Sequence, residues 1–232
     1  MKYLPCLFFI FVIAFPSCES LKTSTKREPL PQKFSVDFNS TQIQIGTAET
    51  QVDLLFPRSG LAKKNIEILY FPSEDAVCLK YKPNIFTYHL FFDFEARELF
   101  RKSLQQYMTE YENREIINNA NMTKSIYGIT EGYLFWQEFN ITRRFNAHND
   151  IDFGYIFKKR APYFSITQKR TFFRDRAIDD PEKRDTYSQE IVMHFTRAQA
   201  QELAELFNEE QLKTHSLPRA IRRGGTADVD SW

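Results

Sequence analysis

The ten residues "FNAHNDIDFG" hold the densest set of metal-capable groups in the chain: His148, Asp150 and Asp152, at alternate positions. An imidazole and two carboxylates so close together offer the nitrogen and oxygen ligands that a divalent ion takes. A metal-dependent hydrolase is the enzyme they would serve. Asn, Asp and His also gather in turns, because their short polar side chains bond nearby backbone, and the segment is expected to be the turn between two strands. The other reactive groups are scattered. His89 and His194 stand late in their strands, each shortly before a helix, and would meet only if two halves of the chain were related by symmetry. Cys78 lacks a partner for a disulfide or a two-cysteine zinc site and is expected to pack as a small apolar residue. Gly-x-Ser-x-Gly, Walker, Gly-x-Gly-x-x-Gly, His-Glu-x-x-His and Cys-x-x-Cys patterns do not occur. The sequence leans away from an enzyme, and no cofactor is expected.

A second candidate is electrostatic. Residues 143 to 176 carry Arg143, Arg144, Lys158, Lys159, Arg160, Lys169, Arg170, Arg174 and Arg176 against Asp150, Asp152 and Asp175. Interleaved with Phe157, Tyr163, Phe172 and Phe173, they could hold a polyanion through phosphate or carboxylate contacts with stacking support. A merely soluble outer face gives the same pattern. Over the whole chain the formal charge is +1, so nucleic acid is not an expected partner.

These groups must stand on strands. The chain has 23 Phe and 11 Tyr but only 7 Gly, a composition that favours half-buried strands. "QVDLLF" and "NIEILY" alternate cleanly. "GYLFWQEFNITRRF" reads as one long strand with Tyr133, Phe135, Phe139, Ile141 and Phe145 on its dry face, as in an antiparallel sheet covered on one side. Further strands are expected at 34–46, 76–82, 85–92, 151–159, 162–173 and 187–195. Asp93 is a fit N-cap for a helix whose stripe is Phe100, Leu104, Tyr107, Met108 and Tyr111. Thr196 with Gln199 makes a capping box for a second, with Ala200, Leu203, Ala204 and Phe207 on its dry face. The expected class is α+β, an antiparallel sheet with two amphipathic helices packed on it. Strands followed by a capped helix occur twice, which suggests two β-meander-plus-helix halves, 34–117 and 122–212. Such a unit resembles the whirly and PUR single-strand-binding folds in outline, and fold outline alone carries no function.

Ahead of the domain, Lys2, an apolar run from Leu4 to Phe15 and Pro16-Ser17-Cys18 have the layout of a secretory signal. The run is shorter than the roughly 20 residues a membrane-spanning helix needs. A cysteine directly after small Ser17 resembles the processing site of bacterial lipoproteins. That resemblance covers only this segment and implies acylation of Cys18, which becomes the first residue. Phe15 and Pro16 replace the leucine and small residue usual there. The organisation expected is a signal peptide at 1–17, a polar tether at 18–33 whose prolines, serines and threonines build no core, a domain at 34–213, and a mobile tail at 214–232. The function expected is that of an exported, lipid-anchored cell-envelope protein that binds or scaffolds a protein or anionic envelope ligand. A soluble secreted protein is the alternative.

Overall fold

A computed structural model describes residues 36–54, 60–118, 124–138, 144–158, 160–174 and 185–216. All belong to one compact unit that begins at Phe34. The signal segment, Cys18, the tether and residues 217–232 lie outside the described residues.

The strands are β1 (Ile43–Leu54), β2 (Gly60–Phe71), β3 (Ala76–Tyr81), β4 (Phe86–Phe92), β5 (Lys124–Glu138), β6 (Arg144–Lys158), β7 (Ala161–Gln168), β8 (Phe172–Arg174), β9 (Asp185–Tyr187) and β10 (Ile191–Phe195). The helices are α1 (Phe94–Glu112), α2 (Arg197–Leu206) and α3 (Glu209–Ser216). Eight strands close an antiparallel barrel in the order β1-β10-β7-β6-β5-β4-β3-β2, and β8 pairs with β9 as a separate arm. The class is α+β and strand-rich, with a third helix that periodicity does not reveal. In α3 the main-core contact is Leu212. The expected tail boundary at 214 falls inside it.

Alternation puts one face of each barrel strand inside. Val52, Ile66, Ile68, Leu79, Leu90, Trp136, Phe153, Ile166 and Met193 fill that core, and Phe100, Tyr107, Leu203 and Phe207 of the helical segments join it. Both expected caps form. The Asp93 side chain accepts from the N–H of Ala96 at 2.8 Å, and Thr196 and Gln199 bond each other's backbone. The expected strand across 132–145 is two strands: Gln137 faces Arg144 in the β5–β6 hairpin. Phe139 and Ile141 lie outside the described residues. Trp136, which alternation sets on the face opposite Tyr133 and Phe135, is in the main core with Leu134, while Phe135 packs on the outside. Over residues 134–136 the strand is dry on both faces, because Val36 and Phe38 cover its outer side there.

The two halves have the same registers. Gly46 faces Ile68 as Gly128 faces Phe153. Ile68 faces Leu79 as Phe153 faces Ile166. Leu79 faces Leu90 as Ile166 faces Met193, and Phe91 faces Tyr133 as His194 faces Gln51. Both first strands shift register at the same point, between Gln44 and Gly46 and between Ile126 and Gly128. Each helix then crosses to the other half. Leu99 of α1 lies over Gly128 and Leu206 of α2 over Gly46, closely enough that a Cβ on either glycine would stand within 3 Å of the leucine.

One contact breaks this correspondence. Arg97, at the α1 position that Ala200 holds in α2, is fully buried. Its Nε donates to Glu209 Oε1 at 2.8 Å and its Nη2 to both carboxylate oxygens of Asp75 at 3.1 Å. Burial alone would favour the neutral guanidine; the Glu209 and Asp75 carboxylates outweigh it and hold the group charged. Arg97 thereby ties α1 to α3 and to the β2–β3 turn, where Asp75 takes the left-handed conformation.

Candidate functional site

The common register makes the outer walls comparable residue by residue. Across β2, β3, β4 and β5 the first wall carries Leu69, Cys78, Phe91 and Phe135 with Phe71 and Ala76, a second apolar cluster. Phe38 seals it, stacked on Phe135 at 4.1 Å and edge-on to His89 at 4.9 Å and Phe91 at 5.8 Å. His89 is held neutral there. Burial, then the charges of Lys80 and Arg144, lower its pKa to about 4. Cys78 is buried as expected, and burial pushes its thiol well up.

At the matching positions the second wall carries Gly154, Ser165, His194 and Asp53. Gly154 is obligatory, since a Cβ would meet the Ser125 carbonyl oxygen. His194 is fully buried and donates from Nε2 to Asp53 Oδ2 at 3.1 Å. The same oxygen accepts from Lys158 Nζ at 2.7 Å. Partial burial pushes the Asp53 carboxyl up, but the Lys158 hydrogen bond and the charges of His194 and Lys158 prevail and hold it below its ordinary value. The hydroxyls of Ser165 and Thr167 are buried without a hydrogen-bond partner. Ser165 faces His194 across the β7–β10 ladder. It makes no bond to the imidazole, so the contact that activates a serine nucleophile is not formed.

Asp53 opens into a cleft of about 540 Å³ between the ends of β1 and β10 and the β8–β9 arm, lined also by Asn84, Arg170, Tyr187, Gln189 and Glu190. Its walls are braced. Gln168 donates to the Gln189 carbonyl at 3.0 Å and accepts from Tyr81. Asn84 donates to the Gln189 side chain at 2.9 Å. Ser188 exchanges hydrogen bonds with Thr171 at 2.8 and 3.0 Å, and Arg170 lies over the Tyr187 ring at 4.4 Å.

His148, Asp150 and Asp152 are not in a turn; they stand in mid-β6, in file on its outer face. The polar run misleads because the outer face of the strand is exposed at His148 and Asp150; Asp152 is itself buried. His148 pairs with Glu131 at 3.0 Å and Asp152 with Lys169 at 2.9 Å. Among the described residues no group of three His, Cys, Asp or Glu side chains is set to hold a metal ion. His89 and His194 do not meet, being on strands four apart in the ring of eight. The basic residues do not gather. Lys158 is on Asp53, Lys169 on Asp152 and Glu190, and Arg170 on Tyr187. Arg144 and Arg160 are exposed at opposite ends of β6, about 45 Å of strand apart. Arg143 and Lys159 lie outside the described residues.

Asp53, Ser165, Asn84 and Glu190 carry no motif. The one sequence signal was the lone acid among the apolar residues of "QVDLLF".

A closed antiparallel barrel with helices joined to its core, carrying one sealed wall and one polar wall beside a cleft, is the class the geometry defines. The chain belongs to the uncharacterised Treponema protein family, whose model matches residues 38–214. The match begins at Phe38, the residue that seals the first wall. No curated protein and no solved structure matches the chain.

Proposed function

We propose that the protein is exported and anchored in the cell envelope through a lipid on Cys18. Its barrel, two copies of one four-strand-and-helix unit, acts as a non-enzymatic binding or scaffolding module. The observation that carries the binding reading is the second wall. Buried polar groups cost stability unless they are paired, and the first wall demonstrates that the same register packs well with Leu, Cys, Phe and Phe. Gly154 is fixed by the close Ser125 backbone, but Ser, His and Asp at the other three matching positions, beside a braced cleft, are not required by packing. They serve a ligand. Export is supported by Lys2, the apolar run and Ser17-Cys18, and the polar stretch to Lys33 is the spacer that holds the barrel off the membrane.

Expression in a bacterial host tests the anchor. Intact-mass measurement is expected to find a chain beginning at acylated Cys18, and Cys18→Ser to move the protein from the membrane to the soluble fraction. Cleavage elsewhere, with no lipid mass, would remove the anchor and leave a secreted protein.

A further inference from the structure

The first half indicates what the cleft lacks. Between β4 and β5 the ladder has six pairs, from Phe86 opposite Glu138 to Phe91 opposite Tyr133. Its counterpart between β10 and β1 has, among the described residues, two: Gln51 opposite His194 and Val52 opposite Met193. The shared register would set Asp53 opposite Val192 and Leu54 opposite Ile191, as Phe135 is opposite His89 and Trp136 opposite Tyr88. β1 continues to Leu54 and β10 starts at Ile191, so both edges run on through these positions without pairing. The cleft lies in that gap, with Val52 and Asp53 from one edge and Glu190 and Ile191 from the other among its lining. Backbone N–H and C=O groups demand partners; they point alternately to the two sides of a strand, so each edge turns those of one of its two unpaired residues into the seam.

We propose that this seam binds an extended polypeptide segment of a partner protein, entering as an added strand with a basic side chain directed to Glu190. Strand addition draws affinity from main-chain hydrogen bonds and selectivity from the side-chain pockets. The charges favour a cationic residue. Arg170 is turned onto Tyr187, and Asp53 is already paired with Lys158 and His194. Glu190 lines the cleft and is 49% exposed, and the Lys169 ammonium 3.6 Å away is shared with Asp152, so its carboxylate is only partly compensated. The inference rests on the binding reading above but not on export or anchoring.

The test is selection of a phage-displayed random heptapeptide library on the purified protein, with the Glu190→Lys variant selected in parallel. Enrichment of peptides in which Lys or Arg alternates with apolar residues is expected on the parent alone. A synthetic copy of an enriched peptide should shift the backbone amide resonances of Asp53, Leu54, Ile191 and Val192. Glu190→Lys, a half-exposed position, should weaken that peptide roughly tenfold or more. Equal enrichment on both proteins, shifts confined to other surfaces, or shifts of the seam amides by chitotriose but by no peptide would overturn the proposal. Membranes are absent from the experiment, so its failure stays separate from that of the Cys18 prediction.

Discussion

Where the first wall has Phe91 flanked by Cys78 and Leu69, the second has His194 flanked by Ser165 and Gly154. Where the first has Phe135, the second has Asp53. The backbone register is common to both, so the register does not account for the difference in side chains or in what lies over them. Phe38 closes one wall, while the other has an aspartate shared by a lysine and a histidine beside a seam that has come apart. One register can thus carry either an apolar wall or a site.

The largest effect that separates the halves is expected at Arg97. Its counterpart Ala200 needs no partner, whereas Arg97→Ala leaves the carboxylates of Glu209 and Asp75 facing each other across the lost guanidinium. Breaking one side of a buried ion pair costs about 3–5 kcal/mol, measured as a fall in the urea midpoint. A loss below about 1 kcal/mol would mean that α3 is held by Leu212 alone.

Acid is expected to loosen the walls in sequence. His89 has its folded pKa depressed to about 4, so the unfolded chain binds its proton first, near pH 6.5. Stability from the neutral ring is complete above that pH and is lost as pH falls toward 4, by an amount on the order of 3 kcal/mol. The Asp53 carboxyl is also depressed. Its contribution is present above the ordinary carboxylate range and disappears only below it. Between pH 7 and 4 the denaturation midpoint of the parent should fall more steeply than that of His89→Leu, which has no ring to protonate. Parallel curves would remove His89 from the account.

Phe38→Ala opens the sealed wall. The ring is only partly buried, so the expected loss is about 2 kcal/mol, below that of a fully buried Phe. Cys78, buried in the parent, should then react with a thiol reagent under native conditions faster than it does in the parent. Smallest are Gly46→Ala and Gly128→Ala. Each pushes a Cβ against one flexible leucine, at about 1–2 kcal/mol, and the two midpoint shifts should match. Unequal shifts would show that the helix crossings are not equivalent.

Sequence patterns carry the local features and stop at the long-range ones. Asp93, Thr196 and Gln199 announce their helices because a cap is written within four residues. The alternation in "NIEILY" announces β2 for the same reason. Closure of the barrel by β1 on β10 joins residues more than 140 apart, and no local pattern records it. Nor does one record that Phe38 lies over β5, so a strand dry on both faces looks half wet. The His148 group looks like a turn because the outer face of β6 is exposed at His148 and Asp150. The second wall is harder still: Gly154, Ser165, His194 and Asp53 come from four strands and become a set only once the registers are known.

Amide hydrogen exchange at the two seams tests the central claim most directly, that one register is closed in the first half and open in the second. Protection at Phe135 and His89, within the six-pair ladder, should approach that of the barrel core. At their counterparts Asp53 and Val192, the pair as a whole should exchange roughly a hundredfold faster or more, as expected where a strand edge lacks its partner. Equal protection at the two seams would mean that β1 and β10 are zipped in solution, and the cleft would not be a site.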